Sequence, residues 1–145
     1  MSQLHELSKP FPASLVKQKP GKFAAAYVEH GIINQRLLEV IGPFTFTVDK
    51  PVTNADGVVS GCLATLSCTI DGERVMVTEV GDVEHPSPNN ASNLKSASSD
   101  ALKRCAMRLG VGLHLWTADN YYLNKSLEKR EQEPAGTAHP DRVPP

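Results

Sequence analysis

Four cationic side chains within residues 91–109 are the groups best able to do chemistry in this chain. They are Lys95, Lys103, Arg104 and Arg108. On a helical wheel Lys103 and Arg104 fall opposite the apolar stripe, on a face that also carries short serine side chains. Such a face lets a phosphate backbone approach closely and favours ionic contacts with phosphates. The alternative, which charge alone favours, is an ordinary solvated face of an amphipathic helix.

A second candidate group is acidic. Glu79, Asp82 and Glu84 lie close together in the sequence and are followed by a histidine, a set that could hold a divalent metal for nuclease chemistry. Alternating acids on a strand are more often a solvated face, or they meet the cations of a neighbouring subunit. The nuclease is therefore kept as an alternative only.

The cysteines argue for a reducing compartment. Cys62, Cys68 and Cys105 form no Cys-x-x-Cys pair and have no zinc-ligand spacing with the histidines. No apolar run approaches the roughly 18 residues of a membrane span, and residues 1–6 show no secretion signal. We therefore expect a cytoplasmic protein with reduced thiols and no metal or other cofactor.

The small net charge hides a segregated distribution. The chain has 15 basic and 16 acidic residues, a net charge of −1 that alone would argue against a nucleic-acid partner. Residues 1–25 and residues 91–110 each carry a net charge of +3, whereas residues 42–90 carry −5. We expect the two basic segments to converge on one groove and the acidic segment to lie away from it, for example against a neighbouring subunit.

The elements that must position these residues belong to an α+β fold. Apolar spacings of three and four predict a helix from about His30 to the Gly42-Pro43 stop. Residues 44–82 predict a three-stranded antiparallel β-meander with a tight turn at Asp71-Gly72. A long helix over 91–109 follows, and a short helix is predicted over 13–19.

The domain organisation follows from where apolar residues stop. We predict one core domain over residues 1–125. Residues 126–145 are rich in Glu, Lys, Gln and Pro with almost nothing to bury, which predicts a disordered tail.

The segment from Asn93 to Gly110 carries a family resemblance. Its sequence, Asn-Leu-Lys-Ser-Ala-Ser-Ser-Asp-Ala-Leu-Lys-Arg-Cys-Ala-Met-Arg-Leu-Gly, resembles the core helix of the Rad52 family of single-strand DNA annealing proteins. Tyr27-Val-Glu-His, Glu79-Val-Gly and Ala118-Asp-Asn-Tyr-Tyr-Leu are similar to further family segments, so the resemblance spans about residues 10–125. The chain looks like a short phage or bacterial member.

The resemblance implies a binding protein and not an enzyme. Family members form rings with a basic groove, in which single-stranded DNA lies with its phosphates inward and its bases exposed for pairing. Annealing of complementary strands then needs no ATP and serves homologous recombination and repair. The implied partners are single-stranded DNA, further copies of the chain, and a companion exonuclease or single-strand binding protein.

The resemblance also assigns candidate DNA-binding residues. Lys103 and Arg104 match the paired cations that face phosphate in the family, and Lys95 matches an earlier lysine of the same helix. The family has a basic residue where this chain has Met107, so Arg108 is the candidate substitute. A further cation precedes the first core helix in the family, and its candidates here are Lys17, Lys19 and Lys22.

Three other interpretations accompany these. Asp100 lies four residues before Arg104, a spacing that predicts an ion pair within the helix. Trp116, Tyr121 and Tyr122 are expected to pack in the core or at a subunit interface in preference to stacking on bases. Besides the nuclease, the remaining functional alternative is an oligomeric scaffold that binds no DNA, whose basic segments meet acidic segments of neighbouring subunits.

Overall fold

The computed structural model describes residues 1–20 and 25–133. Five helices and five strands occur in these ranges. In chain order they are α1 (Gln3–Leu7), β1 (Lys17–Gln18), β2 (Ala26–Tyr27), α2 (His30–Ile41), β3 (Thr45–Thr53), β4 (Val59–Ile70), β5 (Glu73–Asp82), α3 (Asn90–Arg108), α4 (His114–Thr117) and α5 (Leu123–Glu131).

The predicted meander is confirmed. Strands β3, β4 and β5 pair in that order, each antiparallel to the next. Asp71 and Gly72 turn between β4 and β5 with φ values of 49° and 84°, the positive values that a two-residue hairpin requires. Every second side chain of β4, from Cys62 to Ile70, is buried, so one face of the sheet forms the core.

Helix α3 covers that face, and the small residues at the contact allow it to lie very close. A Cβ atom at Gly81 would overlap the carbonyl oxygen of Ala97 and lie 2.6 Å from the backbone nitrogen of Ala101. Neither alanine has exposed surface. The glycine of the Glu79-Val-Gly segment is therefore required for the helix to rest on β5.

The helix predicted from about His30 to Gly42-Pro43 is confirmed as α2, which packs beside α3. Ile33 and Leu37 are buried, one turn apart on the same side of the helix. Gly42 ends the helix with φ 75°, and its N–H bonds the carbonyl of Leu38.

The helix predicted over residues 13–19 is wrong. Only Ala13–Leu15 form a 3₁₀ turn, after which β1 pairs antiparallel with β2, Lys17 opposite Tyr27. Two-residue strands are too short to show an alternating pattern, so the pairing has no signal in the sequence.

The predicted disorder from residue 126 onward is wrong for residues 126–131, which lie in α5. Leu127 is buried, and Glu131 accepts hydrogen bonds from the backbone N–H of Ser2 and the Nδ1 of His5, each at 2.7 Å. Asn124 of the same helix donates hydrogen bonds to the carbonyl of His5 and the hydroxyl of Ser8. One buried leucine and a few polar contacts are too sparse a pattern to recognise in a polar sequence. Residues 134–145 lie outside the described residues, and the domain division at 125 stays a prediction.

The three cysteines are buried and free, and Cys62 and Cys68 share the core face of β4. No helix in the described ranges combines the length and the apolar character needed to cross a membrane. Assembly into a ring stays a prediction.

Candidate nucleic-acid interface

A capping asparagine determines where α3 begins, and its small residues determine which face is buried. The side chain of Asn89 accepts a hydrogen bond from the N–H of Ser92 and caps the first turn. Asn93 is buried and bonds the N–H, hydroxyl and carbonyl groups of Ser87. With Ala97, Ala101 and the buried Cys105 against the sheet, the opposite side of the helix faces outward.

Lys103 lies on that outward side against an aromatic ring. Its Nζ is 5.1 Å from the centre of the Tyr27 ring on β2, a cation–π contact. Partial burial lowers the pKa of Lys103; the nearby charge of Lys19 lowers it further, whereas Asp100 and Glu29 oppose the shift. The β1–β2 hairpin therefore brings an N-terminal lysine next to the helix cations.

Arg104 and Arg108 share one carboxylate. The Nε of Arg108 is hydrogen-bonded to Glu79 Oε1, and the Nε of Arg104 lies 3.7 Å from Glu79 Oε2. The Glu79 side chain is only 10% exposed. Its pKa is lowered chiefly by the hydrogen bond from Arg108, with a smaller contribution from the Arg104 charge.

Arg104 has a second neighbour. Its guanidinium carbon lies 5.2 Å from the centre of the Trp116 ring on α4. Its Nε is buried with no hydrogen-bond acceptor among the described atoms, because 3.7 Å is too long for a hydrogen bond. Lys103 and Arg104 are therefore each placed beside an aromatic side chain, one from β2 and one from α4.

The N-terminal lysines are not equivalent. Lys17 forms an ion pair and hydrogen bond with Glu29, which raises the pKa of Lys17 and lowers that of Glu29. Lys19 has only a loose 3.9 Å contact with Glu84, and it lines the same cavity as Lys103. Lys22 lies outside the described residues.

Lys95 lies away from this group. It is exposed and precedes Lys103 by eight residues, about 12 Å along the helix axis. Within the described ranges it forms no ion pair; its carbonyl accepts hydrogen bonds from the hydroxyls of Ser98 and Ser99. The structure thus brings Lys19 and Lys103 together, with Arg104 next to Lys103 along α3, but leaves Lys95 on the surface of an earlier turn.

Two expectations about acidic residues are wrong. The acidic meander does not lie away from the cations, since Glu79 on β5 contacts both arginines. Asp100 forms no ion pair with Arg104; its Oδ2 accepts a hydrogen bond from the N–H of Asp82 at 3.0 Å. Burial raises the pKa of Asp100. Both contacts join α3 to β5, so spacing along the helix could not predict them.

The acidic residues do not form the site that a nuclease would need. Glu79 is hydrogen-bonded to Arg108, whereas Asp82 lies beside Asp100 at the end of β5, so the two carboxylates have different neighbours. Among residues 1–20 and 25–133, no three histidine, cysteine or acidic side chains are arranged to hold a metal ion.

The aromatic residues were expected to pack in the core or at a subunit interface, and the interface part of that expectation stays a prediction. Trp116 is 52% exposed and Tyr122 is 73% exposed, so neither is core within this chain. Tyr121 is half-buried and donates a hydrogen bond to the carbonyl of Ser8. Tyr27 belongs to the Tyr27-Val-Glu-His segment but was not a candidate site residue, because nothing in the sequence connects β2 with the basic face of α3.

The chain belongs to the Rad52/22 family of double-strand break repair proteins, whose family model matches residues 2–135. This confirms the resemblance carried by the Asn93–Gly110 segment, and the match includes every described candidate cation.

Two relatives are both named single-stranded DNA-binding protein DdrA. The one from Deinococcus radiodurans is 29% identical over 120 residues, which cover 76% of this chain and 52% of the relative. The one from Deinococcus deserti is 27% identical over 135 residues, covering 86% and 62%. The chain therefore spans a little over half the length of these relatives.

Proposed function

We propose that this protein binds single-stranded DNA and anneals complementary strands in homologous recombination and repair, without ATP and without catalysing a covalent reaction. The observation that carries the proposal is the placement of Lys103 and Arg104, side by side on α3 against Tyr27 and Trp116. Family membership and the DNA-binding relatives support the same function.

The cations act on the phosphate backbone. Phosphate contacts fix the path of a strand but carry no sequence information, so such a site accepts any sequence. Lys103 and Lys19 offer ammonium groups to one stretch of backbone, while Arg104 offers a planar guanidinium that can hold two phosphate oxygens. Lys95 and Arg108 extend this path along α3, and Lys17 extends it along β1.

Glu79 limits how strongly the arginines bind. Its carboxylate partly neutralises Arg104 and Arg108 in the free protein. A phosphate arriving at Arg104 gains less than it would from an unpaired guanidinium, because the existing attraction to Glu79 opposes the transfer. The same carboxylate holds both arginine side chains at the contact between α3 and β5, which orders them before DNA arrives.

Annealing follows from holding a strand without hiding its bases. Duplex formation is downhill by about 1.4 kcal/mol per stacked step, so no nucleotide hydrolysis is needed once self-structure is removed. A protein that binds through phosphates leaves most base edges free for a complementary strand.

We propose that the working form is an oligomeric ring in the cytoplasm of a bacterial or phage-infected cell. The support in this chain is an exposed apolar patch on the face of the sheet opposite α3, where Met76 is 73% exposed and Val80 is 51% exposed. Apolar side chains of this size at the surface favour self-association. A companion exonuclease or single-strand binding protein is part of the same proposal.

The test is annealing of two complementary fluorescent oligonucleotides in the absence of ATP, with strand cleavage measured on the same samples. Acceleration of pairing without cleavage is expected. The Lys103→Ala/Arg104→Ala variant should lose the acceleration, and Lys125→Ala/Lys129→Ala, with the same charge change on α5, should keep it. Pairing at the uncatalysed rate by the wild-type protein would refute annealing, and Mg²⁺-dependent cleavage would favour the nuclease alternative.

A further inference from the structure

A cavity of about 210 Å³ lies between the β1–β2 hairpin and the helices α3 and α4. Its walls are apolar and aromatic, with Tyr27 on one side and Leu115 and Trp116 on another. Lys19, Lys103 and Asp100 also line it. The proposed phosphate binding uses the ammonium groups of Lys19 and Lys103 but not the interior of this cavity.

The size of the cavity limits its occupant. Sites for drug-sized molecules and cofactors hold roughly 300–1,000 Å³, so this cavity is too small for a whole dinucleotide or a cofactor of that size. A single planar ring system fits such a space, and aromatic walls favour stacking on a flat partner.

The two aromatic walls are the same rings that contact the phosphate-binding cations. Lys103 lies over Tyr27 at 5.1 Å, and Arg104 lies over Trp116 at 5.2 Å. A group stacked on either ring is therefore one side chain away from a cation. A nucleotide has this arrangement, because its planar base is joined through the sugar to a phosphate.

Asp100 adds a hydrogen-bond acceptor to the cavity wall. A carboxylate repels phosphate but accepts hydrogen bonds from the exocyclic amino group of a base. One Asp100 oxygen is occupied by the N–H of Asp82, and the residue lines the cavity. The base would enter and the phosphate would stay outside, at Lys19 and Lys103.

We propose that this cavity takes one nucleobase of the bound single strand, with the adjoining phosphates on Lys19 and Lys103. The proposal rests on the proposed function and sharpens it: most bases stay exposed for pairing, while one base in each binding site is sequestered and anchors the strand. A DNA strand that is held only through its phosphates can slide along the protein. An inserted base fixes the position of the strand.

The experiment compares single-stranded DNA with an oligomer of the same length in which every sugar lacks a base. Trp116 is the only tryptophan in the chain, so its fluorescence reports on this wall of the cavity. DNA should quench the fluorescence and bind about 10-fold more tightly than the abasic oligomer. The abasic oligomer should bind with the same salt dependence but without quenching.

Two variants separate the cavity from the exposed edge of Trp116. Ala26→Leu fills the cavity from β2, and Leu115→Phe narrows it from α4. Each should abolish the preference for DNA over the abasic oligomer and leave abasic binding unchanged. Ala13→Leu, the same substitution on an exposed turn away from the cavity, should keep the preference.

The outcomes are distinct. Equal affinity for both polymers without quenching, or a preference that survives both cavity variants, would overturn the cavity proposal and leave DNA binding intact. Quenching by a free mononucleotide but not by DNA would overturn it as well. Absence of salt-dependent binding to either polymer would overturn the proposed function, and the cavity proposal with it.

Discussion

The carboxylate of Glu79 on β5 is hydrogen-bonded to the guanidinium Nε of Arg108 on α3. The same carboxylate lies 3.7 Å from Arg104, so a single acidic residue of the meander balances two cations of the helix that we propose binds DNA. The acid docks the helix on the sheet, and in the proposed function it also limits the affinity of the helix for phosphate.

Replacing this acid should strengthen DNA binding and weaken the fold. In Glu79→Gln the two guanidinium groups lose their counter-charge, and we expect three- to ten-fold tighter binding at low salt, with a salt slope steeper by about 0.7. The melting temperature should fall because the joint between α3 and β5 is lost. Fluorescence anisotropy and thermal unfolding measure the two effects; weaker binding by a folded variant would contradict this role for Glu79.

Gly81 should tolerate no side chain. Gly81→Ala places a methyl group against the backbone of Ala97 and Ala101, which cannot move without lifting α3 from the sheet. We expect a loss of at least about 3 kcal/mol in the free energy of unfolding, or failure to fold. The control is Gly31→Ala, where nothing lies within 4 Å of the new Cβ, and the change should stay within about 1 kcal/mol. Equal losses in the free energy of unfolding for the two variants, measured by urea titration, would contradict the close approach of α3 to Gly81.

The contact between α1 and α5 should depend on acid. The His5 and Ser2 hydrogen bonds lower the pKa of Glu131 from its ordinary value near 4.5 to about 2. A lowered carboxyl pKa stabilises the fold fully above the unfolded value, and that stability is lost as pH falls from 4.5 toward 2. The difference in melting temperature between wild type and Glu131→Gln should therefore be constant above pH 6 and shrink below pH 4.5. If the difference in melting temperature does not change with pH, the ionised Glu131 carboxylate does not stabilise this contact.

The exposed patch on the outer face of the sheet should carry self-association. Val80→Lys places a charge on the same face of β5 as Met76 and should lower the oligomer mass measured by light scattering. Leu38→Lys, at an exposed apolar residue of α2, is the matched control and should keep the wild-type mass. An unchanged mass for Val80→Lys would place the assembly surface elsewhere.

The sequence predicted correctly those features that depend on neighbouring residues only. The Asp71-Gly72 turn and the end of α2 at Gly42 follow from backbone conformations that few residues adopt, so they were predicted correctly. The helix predicted over 13–19 failed because β1 is defined only by its pairing with β2 across the chain.

The candidate site divides in the same way. Lys103 and Arg104 were identified from a helix face and a family segment, both contained within α3. Their partners Tyr27, Glu79 and Trp116 come from three other elements, and no spacing along the sequence connects them. The sequence could not show which of Lys17, Lys19 and Lys22 belongs to the site. The pairing of β1 with β2 places Lys19 at the cavity.

The central claim is that Lys103 and Arg104 hold single-stranded DNA by its phosphates. The most direct test is the affinity for a fluorescent oligonucleotide across a range of salt concentrations, for the wild-type protein, Lys103→Ala/Arg104→Ala and Lys125→Ala/Lys129→Ala. Each lost phosphate contact lowers the slope of log affinity against log salt by about 0.7, so the first variant should lose about 1.4 and bind at least about 10-fold more weakly, whereas the second should match wild type. A Lys103→Ala/Arg104→Ala variant with the wild-type melting temperature, affinity and salt slope would contradict the claim.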